Sequence, residues 1–180
     1  MCISAAAIGY EILLMRVLSI VQWHHFAYMI ISLALLGYGA SGTFIALFRK
    51  SLERNFAYAY TASALLFSVA MLASFIAAQR VPFNALEVVW HPGELLLLST
   101  IYLIFFVPFF FAACCIGMAF TCWGEHASRI YFFDLFGAGF GAVLVIGALF
   151  ILPPQNALLV LVGLALVASA LIGLGSSARR

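Results

Sequence analysis

FAYMIISLALLGYGASGTFIALF, Phe26 to Phe48, decides the class of this fold. Its run of about 23 uncharged residues, at about 1.5 Å of rise each, crosses a hydrocarbon core of about 30 Å as a helix. The stretch ends on Arg49-Lys50, and its second half carries Gly37, Gly39, Ala40, Ser41 and Gly42. So many small residues weaken a helix in water, whereas in lipid they let a neighbouring helix come close. The pattern predicts a central packing helix of a polytopic membrane protein, with Gly37, Gly39 and Gly42 as packing positions.

Composition agrees. Of 180 residues, 67% are hydrophobic and only 8% charged, and the mean hydropathy is +1.20. Soluble domains carry about 25% charged residues, so too little polar material is present to coat a water-facing surface. A net charge of +2, dispersed along the chain, argues against nucleic acid as a partner. The N-terminus lacks a basic region, and its apolar run is broken by Glu11 and Arg16, which is not the pattern of a cleaved signal peptide.

Outward from the opening stretch, six apolar spans follow: 2–21, 26–48, 56–78, 95–122, 130–152 and 156–175. The fold class read here is all-α, a polytopic membrane helix bundle in one transmembrane domain covering residues 1–180. The connection from Gln79 to Glu94 holds Pro82, Pro92 and Gly93 and cannot be one helix. With the N-terminus inside, Arg49, Lys50, Arg54, Arg129, Arg179 and Arg180 lie on the cytoplasmic side, and Arg80 lies outside. That is a positive-inside bias, and an even number of spans returns the C-terminus to the cytoplasm. The location expected is a bacterial plasma (inner) membrane, with the lipid bilayer as solvent.

Span five repeats the small-residue theme. Gly137 and Gly141 stand in a G-x-x-x-G relation, a second close-approach surface. Spans two and five share a loose pattern, LLGYGASG (35–42) and LFGAGFGA (135–142), in helices expected to run in opposite directions. A three-plus-three inverted repeat is one source of such a pattern; chance likeness between Gly-rich helices is the other.

The polar residues are few enough to weigh singly. Gly37-x-Gly39-x-x-Gly42 matches the dinucleotide fingerprint in letters, but no strand precedes it, so no cofactor is expected. Glu11 falls near mid-depth of span one, with Arg16 about 7.5 Å further along and about 140° around the helix. They are poor partners for each other, so each wants a partner on another helix or water. One reading is a buried polar tether with Arg16 snorkelling outward. The other is a proton or cation site of Glu11, Tyr10 and Asp134 in a central cavity. Asp134, one turn into the predicted span five, is also explained by the helix N-terminal dipole alone.

Trp23, His24 and His25 cap the first outer turn, and Trp90 sits in the long connection, as amphipathic rings do at a membrane boundary. Neither the histidines nor Cys2, Cys114, Cys115 and Cys122 have metal-ligand spacing, so no metal site is read. No catalytic constellation can be assembled.

Three stretches carry a family likeness: YEILLMRVLSIVQWHHFAYMIISLALLGYGASGTF (Tyr10 to Phe44), RVPFNALEVVW (Arg80 to Trp90) and RIYFFDLFGAGFGA (Arg129 to Ala142). They resemble the membrane domain of bacterial spermidine or spermine synthase-like proteins. The resemblance implies a membrane domain preceding a cytoplasmic Rossmann-type domain similar to aminopropyltransferases and methyltransferases. The strand–turn–helix of that second domain is not in this sequence, so the family's catalytic and cofactor residues have no positions here. The expectation is a non-catalytic membrane anchor or scaffold of such a system, with itself or other membrane subunits as partners. The alternative is a small cation or polyamine carrier working as a half-transporter.

Overall fold

A computed structural model describes residues 1–21, 25–82 and 92–177. They form six long helices: α1 (Cys2–Val21), α2 (His25–Arg54), α3 (Phe56–Ala78), α4 (Pro92–Cys122), α5 (Ala127–Ile151) and α6 (Pro154–Ser177). A short 3₁₀ turn, Gly124–His126, joins α4 to α5. All six are long and apolar enough to cross a membrane, and no strand occurs among the described residues.

The helix ends depart from the sequence reading where local chemistry outweighs hydropathy. The second helix continues past Phe48 to Arg54, and there Arg49 pairs with Glu53 one turn on at 2.7 Å. Prolines open α4 and α6 at Pro92 and Pro154, where a residue without an N–H costs no intrahelical bond. Pro108 lies inside α4 without ending it.

α1 is the hub, packing on α5, α6, α2 and α4. Its closest neighbour is α5. A Cβ added at Gly137 would strike the backbone of Met1, and one at Gly141 would lie 2.5 Å from the Cα of Ala5. The two registers advance together, so α1 and α5 run parallel. α2 and α4 pair the same way: Gly37 faces Phe109, and Ile45 reaches Gly117. α3 runs against α4, with the Phe56 and Trp123 rings 4.6 Å apart and the Cys115 thiol near the Tyr60 carbonyl.

The predicted G-x-x-x-G surface of α5 is therefore in use, whereas α2 uses only part of its set. Gly37 is buried, but Gly39 and Gly42 are exposed, and a Cβ at either would meet nothing within 4 Å. The reason is angular. Gly37, Ser41 and Ile45 recur at the helical repeat and share the packed face, and Gly39 and Gly42 fall off it. Adjacent Cys114 and Cys115 likewise diverge, Cys115 into the main core and Cys114 against Ile45 and Met118.

Gly141→Ala forces two backbones apart and is expected to cost about 1–3 kcal/mol. Gly139→Ala adds its methyl to open space and should leave stability equal to wild type or up to about 1 kcal/mol higher. Thermal unfolding of both variants in detergent checks the contrast.

Candidate functional site

Tyr10 stands at the middle of the bundle and is wholly buried. Its ring tilts on Phe109 of α4 at 5.8 Å between centroids, and its hydroxyl lies 2.7 Å from the Ser74 hydroxyl of α3. Ser74 donates its single hydrogen to the Ala70 carbonyl at 2.5 Å. Tyr10 is therefore the donor to Ser74. This bond ties the hub helix to α3 and satisfies a phenol that hydrocarbon would otherwise strand.

Asp134 lies about two turns into α5 rather than in its first turn, because the helix starts at Ala127. The N-terminal dipole fades within a turn and does not account for it. Its partner is instead Ser4 of α1, whose hydroxyl donates to the carboxylate Oδ1. A cavity of about 180 Å³ opens beside this pair, with Tyr60, Cys115 and Phe133 also in its wall. Tyr10 and Glu11 do not line it.

Glu11 is half-buried, and among the described residues it makes no hydrogen bond or ion pair. It sits about 10 Å along α1 from the level of Ser4. Tyr38 of α2 lies within electrostatic reach of both Glu11 and Asp134. Asp134 lines the cavity of about 180 Å³ on the Ser4 side, and Glu11 is not in its wall. Arg16 is exposed and lies in a groove between α1 and α5, beside Ile12, Ile146, Leu149 and Phe150.

The interfacial residues Trp23, His24 and Trp90 fall outside the described residues, as does the side chain of His25, the first residue of α2. All four cysteines are free thiols, and no group of three potential metal ligands occurs among the described residues. Ser4, Ser74, Tyr38 and Tyr60 join the site without having been singled out in sequence. Ser4 and Asp134 are 130 residues apart and Tyr10 and Ser74 are 64 apart, so only tertiary packing brings them together.

The Tyr10–Ser74 bond predicts an asymmetry. Tyr10→Phe leaves Ser74 bonded to its own helix and should cost about 1 kcal/mol, while Ser74→Ala strands the Tyr10 hydroxyl and should cost about 1–3 kcal/mol. Unfolding of the two single variants and the double variant measures this directly.

No protein-family model, no curated protein and no solved structure matches this chain.

Proposed function

We propose that this chain is a non-catalytic, multi-pass module of a bacterial inner membrane, an anchor or scaffold on which a cytoplasmic Rossmann-type domain of a spermidine synthase-like system docks. The observation that carries this reading is the filled centre of the bundle. Tyr10, Phe67, Phe105 and Phe109, from α1, α3 and α4, are fully buried where a carrier would keep its solute site. The excess of Arg and Lys at one end supports placing both termini in the cytoplasm, on the side where such a domain would sit.

The bundle is further read as two inverted three-helix halves. Gly37, Ser41 and Ile45 are the buried positions of α2 from residue 37 onward, and Gly137, Gly141 and Val145 are those of α5, in the same register displaced by 100 residues. α2 packs on α4 and α5 on α1; α4 packs on α3 and α1 on α6; α3 and α6 pack on each other. Exchanging helices one, two and three with four, five and six maps this set of contacts onto itself.

A small cation carrier is the second reading. It is favoured by the Asp134 cavity and by a membrane-embedded Glu11 with no described hydrogen-bonding partner. Purified protein in proteoliposomes separates the two. The scaffold reading expects proton-linked uptake of labelled spermidine no higher than in empty liposomes, and co-purification of the bundle with a Rossmann-type protein encoded next to it. Uptake that Glu11→Gln or Asp134→Asn lowers tenfold or more, in a folded protein, overturns it in favour of the carrier.

A further inference from the structure

Arg16 presents a problem that the packing of the bundle does not solve. It stands inside a membrane-spanning helix, and among the described residues no carboxylate pairs with it. A guanidinium at that depth is stable only with an anion, water or a route to the headgroup layer. What lies beside it is a groove of about 190 Å³ with an otherwise apolar wall of Ile12, Ile146, Leu149 and Phe150. The groove runs between α1 and α5 toward the C-terminal ends of both.

A second groove with one arginine in its lining lies at the other end of the bundle. It measures about 380 Å³, runs between α2 and α4, and is lined by Ile45, Ala46, Gly42, Gly117, Thr121 and Arg49. The α2 positions Ala46 and Arg49 stand 100 residues before Ile146 and Leu149 of the first groove. α1 runs against α4, since Tyr10 meets Phe109 while Leu14 and Leu18 share a cavity wall with Phe105. α2 runs with α4, so the C-terminal end of α2 lies opposite that of α1. Each groove therefore opens toward a different leaflet, and each has one arginine near its mouth. Arg49 also holds Glu53 through its Nε–H at the exposed end of its helix, and its terminal guanidinium nitrogens carry further N–H donors.

We infer that these grooves are a pair of anionic phospholipid sites, one per leaflet, with the lipid phosphate on Arg16 or Arg49 and an acyl chain along the apolar wall. The ligand chemistry follows from the lining. The planar guanidinium fork pairs with phosphate oxygens through two parallel hydrogen bonds. The isoleucine, leucine and phenylalanine wall of the first groove suits an alkyl chain and not a soluble anion. In the second, Thr121 returns its hydroxyl hydrogen to Gly117, leaving Ile45 and Ala46 as the apolar wall. Among the described residues lining the first groove Arg16 is the single cation, which matches a single negative charge. Small residues shape the second groove: Gly42 has empty space over it, and Gly117 lets the tip of Ile45 pack against α4.

Native mass spectrometry of the purified protein with equal amounts of phosphatidylglycerol or phosphatidylcholine tests this. The expected result is up to two phosphatidylglycerols retained in preference to phosphatidylcholine. Arg16→Gln should remove one and Arg49→Gln the other, each lowering occupancy about tenfold. Leu149→Trp fills the first groove while keeping its charge, and should abolish the same molecule as Arg16→Gln; it serves as the reading should that variant fold poorly. Equal retention of the two lipids, wild-type phosphatidylglycerol binding in the folded variants, or displacement of the lipid by millimolar inorganic phosphate would each overturn the inference.

Discussion

The approach of α1 to α5, backbone against backbone, is the contact on which the bundle depends. Lipid tails are as apolar as leucine, so burying leucine between helices gains little over leaving it in the bilayer. What remains is dispersion between closely packed atoms, which falls away quickly as a gap opens. Gly137 and Gly141 let α5 lie against Met1 and Ala5 at distances no side chain would permit. With that face secured, α1 has its other sides free for α2, α4 and α6, and so becomes the hub. The same device recurs where Gly37 lies under Phe109 between α2 and α4.

Polar groups are placed under the same constraint. Serines and threonines in the helices return their hydroxyl hydrogens to the preceding turn, as Ser68 does to Ala64 and Thr121 to Gly117. Those that reach across do so to a group that would otherwise be stranded: Ser74 accepts from Tyr10, and Ser4 donates to Asp134. Both cross-links end on α1, Ser4 near its start and Tyr10 near its middle. Glu11 and Arg16 lie on the less covered side of that helix, where lipid or a ligand can reach them.

Much of this was legible in the chain because a bilayer imposes length and composition on whatever crosses it. Six spans follow from hydropathy alone, and the G-x-x-x-G of Gly137 and Gly141 names a real contact. The rest required three dimensions. Gly39 and Gly42 look equivalent to Gly37 in sequence, yet they face away by the turn of the helix, which only the position of α4 decides. Asp134 invited a dipole explanation because hydropathy starts span five too late; the helix begins at Ala127, and the true partner is far away in sequence. Depth along the helices relates Glu11 to Asp134, but which side chains line the Asp134 cavity is decided by packing, which brings in Ser4 and Tyr60.

The parallel seating of α1 on α5 can be measured in a bilayer by pulsed electron–electron resonance between spin labels. Ile20 at the end of α1 and Ile151 at the end of α5 are 70% and 84% exposed, so labels there do not disturb packing. Tyr131, 60% exposed near the start of α5, is the comparison site. The structure predicts a short 20–151 distance, and a 20–131 distance of about 30 Å or more at helical rise. A short 20–131 distance with a long 20–151 distance would mean that the two helices run antiparallel, and the glycine contact at the centre of this account would be wrong.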